Sequence, residues 1–202
     1  MSETPYTGPR MTIDSALEVL ARRRGDSVVV STMTAMGPWR AKAGNDRDLI
    51  CLGFMGGASS MALGVALARP ELPVWVLDGD GSLAMQLGSL LTIANAAPTH
   101  FLHIVFNNGV YDTSGGQTVP ADGLASWVGL AEGAGYAQAV RFTDAESFDS
   151  SIDALLEVDG PVLVELMTQA SGIGYVTPPF AQAPRRHPFA ANWRAVRDAL
   201  AQ

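Results

Sequence analysis

Two short segments of this chain carry residues able to do chemistry together. Asp78-Gly79-Asp80-Gly81-Ser82 follows an apolar run at 73–77 and precedes a segment with helical periodicity. At such a strand-to-helix junction, free backbone N–H groups and the positive end of the helix dipole favour a phosphate. The glycines let the backbone come close to it. Asn107-Asn108-Gly109 ends the next apolar run, 101–106. An aspartate beside a phosphate repels it unless a divalent cation lies between them, and magnesium takes hard oxygen ligands in octahedral geometry. The Asp80 carboxylate, an asparagine amide oxygen, a backbone carbonyl, two phosphate oxygens and a water make up six such ligands. Asn108 follows Asp80 by 28 positions, with a helix and a strand between, and a right-handed crossover returns the chain to the same edge of a sheet. Gly79-x-Gly81-x-x-Ala84 also fits the G-x-G-x-x-A variant of a dinucleotide fingerprint. Two features oppose that reading: the acidic residue at its centre, and the pair Asn107-Asn108 where a ribose-binding acid is expected.

Gly79-Asp80-Gly81 followed by Asn107-Asn108 resembles the cofactor motif of the thiamine-diphosphate enzymes. The resemblance implies thiamine diphosphate and Mg2+ as cofactors, with Asp80, the side chain of Asn108 and the carbonyl of Val110 as metal ligands. It places Gly79, Gly81, Ser82 and Tyr111 in the cofactor-binding set. Upstream, Gly53-Phe54-Met55-Gly56-Gly57 resembles the family segment in which a bulky apolar side chain, here Met55, props the cofactor into a bent shape. There a glycine carbonyl, here that of Gly53, accepts a hydrogen bond from the aminopyrimidine. Taken alone, Met55 reads as a flexible core filler. Within the family, the run 107–117 is most similar to the phosphonopyruvate and sulfopyruvate decarboxylases. The similarity spans 28–166; Met36-Gly37-Pro38-Trp39 and the tail after Ala170 depart from it and leave the substrate open.

Members of this family use the cofactor as an electron sink and activate it with a glutamate on a pyrimidine-binding domain of similar size. A chain of 202 residues is too short to hold that domain as well. The resemblance therefore implies one subunit of a carboxy-lyase, with the activating Glu supplied in trans by a pyrimidine-binding subunit of a hetero-oligomer. No catalytic residue is assigned within this chain. The expected substrate is a small anionic 2-oxo acid, sulfopyruvate or phosphonopyruvate, converted to its aldehyde and CO2. The alternatives are a carboligating enzyme of the acetolactate synthase or benzaldehyde lyase type, and a non-catalytic binding subunit of the same fold. A dinucleotide-binding oxidoreductase would instead bind nicotinamide or flavin without magnesium.

These side chains need elements to position them. Apolar residues at Ile13, Ala16, Leu17, Leu20 and Ala21 predict a helix over 12–23 with Thr12 as its cap. Short apolar runs predict strands at 27–31, 49–52, 73–77, 101–106, 136–142 and 161–166. Helices are predicted over 56–68, 82–94 with Ser82 capping, 124–133, 145–156 and 190–200. The stretch 33–48, with Gly37-Pro38 and Gly44, reads as irregular. Apolar strands alternating with helices give a doubly wound α/β fold, a mostly parallel sheet with helices on both faces. In such sheets ligands sit at the carboxyl ends of the strands. The expected organisation is an N-terminal extension at 1–11, the cofactor-binding domain at 12–170, and a C-terminal loop and helix at 171–202.

Composition sets the outer limits. With 48% hydrophobic and 16% charged residues, the chain suits one tightly packed domain. A net charge of −7, with no basic run longer than Arg22-Arg23-Arg24, argues against nucleic acid. The single cysteine, Cys51, excludes an internal disulfide, and no run reaches membrane-spanning or signal-peptide character. The expectation is a cytoplasmic protein with no membrane partner. His100 and His103, flanking the start of a strand, are given structural roles. Ser114 and Gln117 are candidates for touching the cofactor or the substrate acid group. His187, among Arg185, Arg186 and Pro188, reads as part of a solvated basic loop, with contact to an anionic substrate as its alternative.

Overall fold

The computed structural model describes residues 7–120, 122–171 and 189–201. Six strands form the main sheet: β1 (Val28–Thr32), β2 (Asp48–Cys51), β3 (Val74–Gly79), β4 (Phe101–Asn107), β7 (Gln138–Phe142) and β8 (Pro161–Met167). Their order is β2-β1-β3-β4-β8-β7 and every pairing is parallel. Two further strands, β5 (Val110–Tyr111) and β6 (Gln117–Thr118), make a separate antiparallel ribbon.

Alternation along the strands sorts two apolar layers. Val29, Trp75, Leu77, Ile104 and Val164 pack against α1 (Ile13–Ala21), α2 (Met33–Ala43) and α7 (Ala145–Leu156). Val28, Val30, Val76, Val105 and Leu163 pack against α3 (Ala58–Ala68), α5 (Ser89–Ala96) and α6 (Trp127–Ala134). Central strands buried on both faces carry near-continuous apolar runs, so the sequence pattern and the doubly wound architecture agree. Thr12 caps α1 through Ser15 N–H at 3.1 Å, and Asp144 caps α7 through Ser147 N–H at 2.8 Å.

Two expectations are corrected. The stretch 33–48 is not irregular, since α2 occupies most of it with Pro38 inside. Pro38 forgoes one backbone hydrogen bond, and packing outweighs the loss: Trp39 is fully buried and its Nε1 donates to Asp48 Oδ1 at 3.0 Å. Nor is 82–94 one helix capped by Ser82. A short helix, α4 (Asp80–Met85), starts two residues earlier with Gly79 as its N-cap, and the chain turns at Gln86-Leu87-Gly88 before α5. Each piece answers to a different neighbour. The Gln86 side chain packs on Gly56, while α5 meets α3 through the Ser59 and Ser89 hydroxyls, 3.0 Å apart.

The loop expected over 172–187, including His187, lies outside the described residues. The closing helix, α8 (Phe189–Leu200), runs along the outer edge of β2. There Asn192 Oδ1 accepts the N–H of Ile50 at 3.2 Å and its Nδ2 donates to the carbonyl of Asp48 at 2.9 Å. Beneath β2, Arg24 and Asp48 form a buried ion pair at 2.7 Å, with the guanidinium 5.4 Å over the Trp39 ring. Met11, the last residue of the expected N-terminal extension, joins Thr168 by a parallel bridge.

Candidate functional site

The carboxyl ends of neighbouring strands β3 and β4 bring the two motifs together. Gly79 stands opposite Phe106 in the ladder, so the chain leaves both strands at one level. Asp80, the first residue of α4, is buried. Its Oδ1 accepts the N–H of Gly81 and its Oδ2 accepts the N–H of Gly109, both at 2.8 Å. The carboxylate thus spans the Asp80-Gly81 turn and the loop after β4. Burial pushes its pKa up to about 6, while the N–H groups of Gly109 and Gly81 and the charge of Arg10 oppose the rise. The negative charge of Asp122 adds to it.

Asn108 is held at both ends of its amide. Its Oδ1 accepts the N–H of Val110 at 3.0 Å, and its Nδ2 donates to Asp112 Oδ2 at 2.9 Å. Gly109 between them has φ +77°, a conformation a side chain rarely adopts. Gly81 is needed for space, because a Cβ there would lie 2.4 Å from Tyr111 Cε1.

Met55, Gly79, Asp80, Gly81, Ser82, Asn108, Val110 and Tyr111 all line one cavity of about 230 Å³ at this edge of the sheet. Gly53 does not; it sits on an exposed turn at φ +69°. Ser82 is buried, with its hydroxyl accepting the N–H of Gly56 at 2.9 Å, and so ties α4 to the glycine turn carrying Met55. Ser114 and Gln117 are exposed and outside the lining. His103 lies inside β4, fully buried, with Nδ1 3.1 Å from the Tyr136 hydroxyl and Nε2 3.5 Å from Asp78 Oδ2. His100 is exposed on the turn before β4. Burial pushes the Cys51 thiol up to about 11, which keeps it unreactive.

The cavity also takes residues that the motifs did not single out. Thr32, Met33 and Thr34 enter from the end of β1, Asp112 and Thr113 from the loop after Tyr111, and Thr168 and Ser171 from beyond β8. Their types alone did not mark them: the strand order, which sets β1 beside β3, brings the carboxyl end of β1 to the ligand edge. Reading 33–48 as irregular hid the start of α2 there.

Asp80 and the amide of Asn108 both present oxygen to the cavity they line, which suits a hard dication better than a soft one. A cation beside Asp80 would oppose the upward push that burial gives its carboxyl. The space above Gly79 suits a close-lying ligand. A Cβ at Gly79 would meet nothing within 4 Å, and its φ of −112° is open to any residue, so neither packing nor backbone explains a glycine there.

Residues 31–166 match the sequence family described as thiamine pyrophosphate enzyme, C-terminal TPP binding domain. The chain is 40% identical over 163 residues to the phosphonopyruvate decarboxylase of Streptomyces viridochromogenes, covering 78% of this chain and 40% of that one. It is 39% identical over 120 residues to the sulfopyruvate decarboxylase subunit beta of Methanothermobacter thermautotrophicus, covering 59% and 61%. The chain therefore spans less than two thirds of the length of either relative. The fold is shared with the thiamine diphosphate-dependent 4-hydroxybenzoylformate decarboxylase of Rhodococcus jostii RHA1, at TM-score 0.68 and 22% identity over 84% of this chain and 35% of that one. Among the described residues no helix is long and apolar enough to cross a membrane.

Proposed function

Because this chain belongs to the thiamine pyrophosphate enzymes, through their C-terminal TPP binding domain, we propose that it is the diphosphate- and Mg2+-binding half of a 2-oxo-acid decarboxylase. The observation that carries this reading is the Asp80 carboxylate bonded to the Gly109 N–H, which sets the acid and the Asn108 amide on one cavity wall. In this proposal Asp80, the Asn108 side chain and the Val110 carbonyl hold the ion. Gly79, Gly81, Ser82 and Tyr111 surround the diphosphate, and Met55 supports the middle of the cofactor. Gly53, outside the cavity, would meet the pyrimidine end. Bound thiamine diphosphate supplies the electron sink for loss of CO2 from the substrate.

The substrate proposed is a small anionic 2-oxo acid, sulfopyruvate or phosphonopyruvate, on the strength of the two relatives. A pyrimidine-binding subunit is proposed to supply the activating Glu in trans, in a cytoplasmic hetero-oligomer. Two observations support it. One relative is by name a beta subunit, and Leu52 and Phe54, beside Met55, are 40% and 57% exposed, as apolar side chains at an uncovered contact would be.

Calorimetric titration with thiamine diphosphate, with and without magnesium, tests the site. Wild type binds only with magnesium and Asp80→Ala does not bind; equal binding by both overturns the reading. Turnover of either oxo acid should require a co-purifying partner chain, and product analysis with an added aldehyde acceptor separates decarboxylation from carboligation. Appreciable turnover by the pure polypeptide contradicts the partner.

A further inference from the structure

We infer that Asp112 is a positioning residue for the metal site, acting through Asn108. The inference rests on the proposed role of Asn108 as an oxygen ligand. An asparagine amide offers oxygen on one side and NH2 on the other, and only the oxygen can ligate a cation. A half-turn about its last bond would aim N–H groups at the ion. Two partners forbid that turn. The Val110 N–H, a donor only, lies 3.0 Å from Oδ1, and the Asp112 carboxylate, an acceptor only when ionised, lies 2.9 Å from Nδ2. The backbone N–H alone is a neutral contact in a short loop. The carboxylate makes the Nδ2 bond charge-assisted, and so stronger, and would repel Oδ1 if the amide flipped.

Asp112 is itself fixed. It is buried in a single 3-10 turn (Asp112–Ser114), and the same Oδ2 also accepts the N–H of Ser171 at 2.9 Å. One oxygen thereby joins the loop after β4 to the chain leaving β8, and both segments line the cavity. Groups that orient a metal ligand in this way typically change metal affinity by about 10- to 100-fold when removed.

The test is a double-mutant cycle on the full chain, with magnesium chloride titrated into protein plus excess thiamine diphosphate and binding read by calorimetry. Asp112→Ala lowers magnesium affinity about 10- to 100-fold. Asp112→Asn loses less, because an amide oxygen in the place of Oδ2 accepts from both Asn108 and Ser171. Adding Asp112→Ala to Asn108→Ala lowers affinity no further. Binding in EDTA is the same for wild type and Asp112→Ala. Losses that add, equal loss by the Asn and Ala variants, or an Asp112→Ala affinity within threefold of wild type would each overturn the inference. If Asp112→Ala does not fold, Asp112→Asn against wild type decides, with a loss of tenfold or more counting against it. If wild type shows no magnesium-dependent binding, the proposed function fails first, a different result from any of these.

Discussion

Gly79→Ala separates what the fold needs from what a ligand needs. The backbone at Gly79, φ −112° and ψ 155°, accepts alanine, and the added Cβ meets no protein atom within 4 Å. Reduced freedom of the unfolded chain contributes about 0.4–1 kcal/mol of stability. Alanine is a poorer N-cap for α4, which costs roughly 0.5–1 kcal/mol. The two nearly cancel, and the residual of about 0.5 kcal/mol moves the melting midpoint by only about 1–2 °C in a domain of this size. Binding should respond differently. A methyl in the space above Gly79 keeps an anion off the backbone, and a lost bond to a charged group costs about 1.5–3 kcal/mol, or ~10- to 100-fold in affinity. Calorimetry with magnesium and thiamine diphosphate, beside a thermal melt, reads both quantities on one sample. Gly81→Ala is the contrast. Its Cβ would lie 2.4 Å from Tyr111 Cε1, where ordinary contact begins at 3.4 Å, so the ring must retreat about 1 Å. Overpacking of that kind costs about 1–3 kcal/mol, and both readouts fall. If Gly79→Ala binds as wild type does, the space above residue 79 is not the cofactor's and the reasoning is refuted.

Three other outcomes follow from the same structure. The Asp80 carboxyl, raised from an ordinary 3.8 to about 6, binds an extra proton in the folded state between those values, so ligand-free stability falls as pH rises through that window and levels off above it. Melts across the window should show this slope in wild type and lose part of it in Asp80→Asn; identical slopes would exclude the site as its source. Arg24→Ala leaves Asp48 buried without its cation and should cost about 3–5 kcal/mol in a urea titration, a midpoint near wild type being the contrary result. Asn192→Ala removes two hydrogen bonds from β2, about 2 kcal/mol together, and should speed amide exchange at Ile50; unaltered exchange there would mean the contact is not maintained in solution.

The parts of this molecule that repeat a local pattern were legible in the sequence. The buried strands announced themselves as apolar runs, and Thr12, expected as a cap, does cap α1. The motif at Asp80 and the one at Asn108 pointed to one edge because consecutive parallel strands must finish together. Illegible parts were those decided by partners distant in sequence. Gly37-Pro38 argued against a helix, and it is the burial of Ala35, Met36 and Trp39, with Trp39 bonded to Asp48, that holds α2 in place. The break at Gln86-Leu87-Gly88 reflects contact with Gly56 and α3, which no periodicity in 82–94 encodes. Asp112 carries no local signal of its own, because its place depends on Asn108 and on Ser171, which is 59 positions away.

The side chain of Asn192 does to β2 what another strand would do, since taking the N–H of residue 50 and giving to the carbonyl of residue 48 reproduces two successive rungs of a parallel ladder. A foreign β-segment arriving at that margin finds those rungs already filled and must first evict α8. Growth of the sheet into a neighbouring molecule is thereby opposed at this border.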